Sequence, residues 1–155
     1  MQKDEVIDEI NKINIKFYDA FENLSIETMN KLWKHDEDVV CIHPGWDLFR
    51  GWLAIKESWI TIFSNTEWIK FVITNSKVRP YNNNIALVVC LENIKTISEN
   101  GQAIKIGVNA TNVFEKNDLN QWLLVHHHGS VVTNYLPPNV SPNDWNLPIS
   151  NKSNI

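Results

Sequence analysis

The chain has 155 residues, 43% of them hydrophobic and seven of them tryptophan, which suits one domain with a sizeable core and argues against a disordered chain. A formal net charge of −4 gives no electrostatic reason to expect nucleic acid or an anionic membrane as partner. The acidic start MQKDEVIDEI has no apolar signal region, and no stretch approaches the roughly 20 apolar residues of a membrane span, so a cytoplasmic protein is expected.

The predicted elements begin with a helix over residues 4–24, where Val6, Ile10, Ile13, Phe17, Phe21 and Leu24 recur at three- and four-residue spacing. Ser25 then reads as the N-cap of a second, short helix, with Glu27 in its first turn and Ile26, Met29, Leu32 and Trp33 as its apolar side. The acidic stretch HDEDVV leads into VVCIH, a short β-branched run that Pro44-Gly45 must stop. Arg50-Gly51 looks like a turn and helix start. Trp52, Ile55, Trp59, Ile62 and Phe63 then give helical spacing over 52–63.

Four long strands are expected at 67–79, 84–98, 102–116 and 121–133, rich in β-branched and aromatic residues and separated by the turn signals NNN, ENG and KNDLN. Short connections make them an antiparallel meander. Helices first and strands later imply an α+β fold, with three N-terminal helices packed on one face of a curved antiparallel sheet. The domain is expected to end near residue 133. Residues 134–155, with four prolines and many asparagines, form either a mobile tail or an extended arm pinned by Tyr135 and Trp145.

Cys41 and Cys90 are too few and too far apart for a disulfide framework; two reduced, buried thiols are expected. No glycine-rich phosphate loop, serine nucleophile motif or CxxC pair occurs. In WLLVHHHGSVV, strict alternation would put Trp122, Leu124, His126, His128 and Ser130 on one face and Leu123, Val125 and His127 on the other. Three consecutive histidines on a regular strand therefore cannot converge on one metal. His126 and His128 could ligate together only if a third group such as His43 completed the site.

Three stretches carry a resemblance. FYDAFENLSIETMNKLW is similar to the opening helical pair of the nuclear transport factor 2-like superfamily, and DEDVVCIHPGWDLFRGWLAIKESW to its strand–loop–third-helix segment. WLLVHHHGS resembles the last strand of SnoaL-like proteins and of the calcium/calmodulin-dependent kinase association domain, where histidines recur without implying metal. The resemblance spans roughly residues 4–132. It implies a cone-shaped α+β barrel, three helices on a strongly curved antiparallel sheet with an apolar pocket at one end, usually in a homodimer that pairs sheet against sheet.

In ketosteroid isomerases the general base is an aspartate just before a proline after the first strand. CIHPG resembles that stretch, so the resemblance implies His43 as candidate base, an imidazole with an ordinary pKa of about 6.5. The oxyanion-stabilising tyrosine of those enzymes aligns with Phe17, one residue before Tyr18, which is the catalytic candidate there. Glu92 and Asn109 are polar substitutes for the missing carboxylic acid of the oxyanion hole. Trp46, Trp59, His126 and His128 complete the ligand-binding candidates, although Trp59 also fits a core position. The expected function is binding of a small, largely apolar molecule, with cofactor-free acid–base isomerisation, dehydration or cyclisation as the chemistry. The alternative is a non-catalytic association module, because this fold serves both.

Overall fold

The computed structural model describes residues 3–139; Trp145 and the other tail residues from 140 onward lie outside them. The order is α1 (Lys3–Glu22), α2 (Ile26–Leu32), β1 (Val40–Ile42), β2 (Phe49–Arg50), α3 (Trp52–Ser64), β3 (Ile69–Pro80), β4 (Ile85–Ile97), β5 (Ala103–Lys116) and β6 (Trp122–Val131). Each long element falls where its hydrophobic period predicts.

Helix α1 buries Val6, Ile10, Asn14, Phe17, Tyr18 and Ala20. It closes at Leu24, whose φ of 53° is left-handed, with Ser25 N bonding Ala20 O at 3.0 Å. Ser25 then caps α2, its Oγ accepting from Thr28 N at 3.1 Å. Strand β2 had no sequence signal of its own. It is two residues long and is held by tertiary pairing, Val40 opposite Arg50 and Cys41 opposite Phe49.

The sheet runs β2-β1-β6-β5-β4-β3. Strands β3 to β6 form the expected antiparallel meander, but β1 pairs with β6 in parallel, so the whole sheet is mixed. This follows from topology: β1 enters beside the last strand after a helical pair and not through a hairpin. Its register sets Val40, Cys41 and Ile42 beside His126, His127 and His128. The helices cover one face, and the space between is filled by rings. Phe17, Phe21, Trp59, Phe63 and Phe71 meet edge-on or tilted at centroid distances of 4.6–6.4 Å.

Two irregularities shape the sheet. At β5–β6 the register shifts between Val113 and Phe114: Val113 faces His126, while Phe114 faces Leu124, leaving Val125 as an extra residue. At β3–β4 it shifts between Thr74, opposite Leu91, and Lys77, opposite Val89, with Asn75 left-handed at φ 53°.

After β6, Val132 N bonds Gly107 O at 2.8 Å and the chain crosses the outer face. Tyr135 lies so close over Gly107 that an added Cβ would come within 2.1 Å of its ring. Its hydroxyl donates to Asn93 Oδ1 at 2.6 Å. Glycine is needed there for lack of a side chain.

Candidate functional site

Polar side chains from four elements meet inside the helix–sheet layer. Asn14 and Tyr18 lie four residues apart on the buried side of α1. Cys90 and Glu92 alternate inward on β4, Asn112 on β5 and His127 on β6. The Tyr18 hydroxyl donates to Glu92 Oε2 at 2.6 Å and lies 3.5 Å from Cys90 Sγ. Asn112 Nδ2 donates to Asn14 Oδ1 at 2.8 Å and to the Tyr18 oxygen at 3.3 Å. That leaves Asn112 Oδ1 as acceptor for His127 Nδ1 at 2.5 Å, so His127 carries its proton on Nδ1.

A second group flanks the first. His43 is 2% exposed, and its Nε2 lies 2.8 Å from Ser58 Oγ. The serine hydroxyl proton goes to Ile55 O at 2.6 Å, so His43 Nε2 must be the donor and Nδ1 holds the lone pair, within 3.9 Å of the Cys41 thiol. Cys41 Sγ sits 3.6 Å from Nε2, and Cys41 lies beside His127 in the β1–β6 register. The Trp59 ring stands between the two groups, 4.7 Å from His43 and 6.1 Å from His127 by ring centroids.

Burial governs the electrostatics. It pushes His43 down to about 4 and His127 to about 3, with the charges of His43, His126 and His128 adding to the second shift. It raises Glu92 to about 7, against the lowering effect of the Tyr18 hydrogen bond. Burial and then the Glu92 charge hold the Tyr18 phenol and the Cys41 thiol well above their ordinary values. Near neutral pH the site therefore holds two neutral imidazoles and one carboxyl poised between its two forms. Such a set can donate and accept protons; it cannot hold a strong anion.

The candidates divide. His43, Tyr18, Trp59 and Glu92 come together in this interior. Trp46, 42% exposed, meets the His43 ring edge-on at a centroid distance of 5.3 Å and so stands between the interior and solvent. Asn109 is exposed on the outer face, opposite Leu91 and Ser130, and joins nothing in the site. The face assignment of the histidines is corrected. The extra residue Val125 reverses the alternation, so His127 joins Trp122 and Leu124 inside while His126 and His128 face outward, their rings 6.4 Å apart. With His43 on the inner side, His126, His128 and His43 do not converge; among the described residues no group of three or more metal-capable side chains forms.

Comparison with known proteins shows the family and the fold. The profile of the SnoaL-like domain matches residues 10–134. The chain belongs to the SnoaL-like family. A candidate dehydratase of the nuclear transport factor 2-like family from Streptomyces avermitilis is 33% identical, covering 85% of this chain and 99% of its own, with a TM-score of 0.78. A candidate calcium/calmodulin-dependent protein kinase type II association domain from Thiobacillus denitrificans is 25% identical over 78% of this chain and 93% of its own, with a TM-score of 0.68. F-box protein SKIP8 of Arabidopsis thaliana is 27% identical over 124 residues, 79% of this chain. This chain spans about half the length of that curated relative, 49%.

For a SnoaL-like chain, the residues that sequence reasoning passed over are Asn14, Ser58, Asn112 and His127. Two had a legible signal: Asn14 is a polar residue on the buried stripe of α1, and Asn112 occupies an inward place between Ala110 and Phe114. Ser58 had none, and the triplet put a histidine on each face of its strand without showing that His127 was the inward one. No helix among the described residues is long and apolar enough to cross a membrane.

Proposed function

We propose that this SnoaL-like chain binds a small, largely apolar, uncharged molecule and carries out cofactor-free acid–base chemistry on it, an isomerisation, dehydration or cyclisation. The observation that carries this reading is the Tyr18–Glu92–Asn112–His127 network, a run of buried titratable and amide groups where apolar side chains would pack with less cost. His43 Nδ1, whose one polar neighbour among the described residues is the Cys41 thiol at 3.9 Å, supplies the lone pair for proton abstraction, and its lowered pKa makes it a weak base. Tyr18 and Glu92 supply a phenol and a carboxyl to stabilise a developing oxyanion. The similarity to a candidate dehydratase supports the same reaction class.

A thermal-shift panel of uncharged ketones, enones and hydroxy ketones tests this. At least one compound is expected to raise the melting temperature of the wild type by a few degrees and to take up deuterium at its α-carbon in D2O. His43→Asn is expected to abolish the exchange. A folded protein that binds no member of the panel overturns the reading.

A second reading, association of two copies through the sheet, is favoured by the outer face. Ile85, Leu87, Val89 and Leu91 of β4 and Val113 of β5 make an apolar patch there, with Val89 45% exposed. The likeness to an association domain points the same way. Sedimentation of the wild type is expected to give a dimer, and Val89→Lys a folded monomer. A monomeric wild type at tens of micromolar rules this reading out.

A further inference from the structure

The β3 bulge lies directly across the ladder from Cys90, which sits between the paired residues Leu91 and Val89. Cys90 Sγ is the group 3.5 Å from the Tyr18 hydroxyl. The wall strand is thus broken opposite the one phenol of the buried network. At that break a cleft of ≈ 220 Å³ opens between α1 and β3, lined by Asn11, Asn14, Ile15, Tyr18, Ile73 and Ser76. Asn14 and Tyr18, each 4% exposed, form its deep end, while Ile15, 60% exposed, stands at its rim.

The lining decides what such a cleft can take. It has two amides, two hydroxyls and two isoleucines, and no side chain that is charged at neutral pH. An anion would find no cation and would face the Glu92 carboxyl behind Tyr18; a cation would lose its hydration for amide dipoles alone. A neutral molecule with an apolar body and one carbonyl or hydroxyl matches both halves of the lining. The volume lies below the usual ligand pocket range of about 300–1,000 Å³, so the ligand is small. Asn75, left-handed at φ 53°, is one of the two residues in the bulge, and bulges beside sites commonly serve to re-aim a strand.

We propose that the α1–β3 cleft is the entry and binding subsite through which a small uncharged carbonyl or hydroxyl compound reaches the Asn14–Tyr18 end of the buried network. The proposal rests on the acid–base reading of that network and names its route and ligand class. The rival location is the larger surface groove of ≈ 760 Å³ whose lining includes Asp36, Glu37, Asp38, Arg50 and Leu53 and is rich in charge.

The test uses full-length protein and three probes of one shape: cyclohexanone, cyclohexanecarboxylate and cyclohexylammonium. Binding is followed by the NMR signals of the Ile15 and Ile73 methyl groups and the Asn11 and Asn14 side-chain amides. Cyclohexanone is expected to shift these signals and to bind roughly tenfold more tightly than either charged probe. Ser76→Trp, a change at an exposed rim position, is expected to weaken it roughly tenfold, while Leu53→Trp in the outer groove leaves it unchanged. Equal binding of the charged probes, or weakening by Leu53→Trp and not by Ser76→Trp, overturns the proposal. The two readings fail separately. Cleft shifts with no proton exchange in any ketone uphold the subsite and sink the acid–base chemistry. Exchange that persists undiminished in Ser76→Trp does the reverse.

Discussion

Trp59→Ala is expected to destabilise the protein by about 3–5 kcal/mol in urea or guanidinium unfolding, a large share of the stability of a domain this size. Trp59 is fully buried on α3 and meets Phe17, Phe21, Phe63, His43 and His127. Removing the indole leaves a hole bounded by rings on three elements, and rings anchored on α1 and the sheet cannot all collapse into it. The hole would also bring water to two imidazoles that burial keeps neutral. The control is Trp59→Phe. The indole Nε1 has no hydrogen-bond partner in the structure, so phenylalanine removes an unsatisfied donor worth about 1–3 kcal/mol while losing only part of the volume. It is expected to cost well under half as much as alanine. A Trp59→Ala cost within about 1 kcal/mol of zero would mean that the aromatic cluster is not the core of this fold.

The second large effect is the dependence of stability on pH. Folded His43 and His127 titrate near 4 and 3, below the ordinary 6.5, so below 6.5 the unfolded chain holds protons that the folded chain lacks. Each therefore lowers stability as pH falls, by about 1.4 kcal/mol per pH unit until its folded value is reached. Glu92 acts oppositely. Its folded value near 7 lies above the ordinary 4.5, so its favourable contribution is complete below 4.5 and is lost as pH rises through 7. Between pH 4.5 and 6.5 two histidines outweigh one glutamate by a net slope of one proton. Just above 6.5 the glutamate acts alone, so stability is expected to peak near pH 6.5 and decline gently to just above 7.

The groups facing these residues are part of the account. His127 is crowded by the charges of His43, His126 and His128, and Glu92 acts on Tyr18, Cys90 and Cys41. Glu92→Gln is expected to abolish the decline above 6.5 and to double the slope on the acid side; His127→Gln is expected to flatten the acid side. Guanidinium midpoints measured from pH 4.5 to 8 check both. A wild-type stability that falls from pH 4.5 to 6.5, as Glu92 alone would make it, would show that both imidazoles are hydrated in the folded state.

Much of this protein is legible in its local sequence. The three helices and four long strands lie where an apolar period of three-to-four or of two residues predicts, because burial of one face selects that period directly. The Ser25 cap and the Pro44-Gly45 stop are equally local. His43 became a candidate only through a family resemblance, and Tyr18 fell outside the apolar stripe read for the first helix although it is buried. What local sequence could not supply is pairing. Strand β2 is too short to have a period, and the parallel run of β1 beside β6 depends on where the meander ends.

The histidine triplet shows the limit most sharply. Three identical residues in a row look the same after a shift of one position, so no pattern within them says which points inward. A single extra residue, Val125, in the ladder to β5 sends His127 to the core and His126 and His128 to the outer face. Sequence by itself determined that one side of this strand would hold histidine against the helices. Only the tertiary register decided that it is the middle one, because a bulge is a relation between two strands and neither strand's sequence contains it.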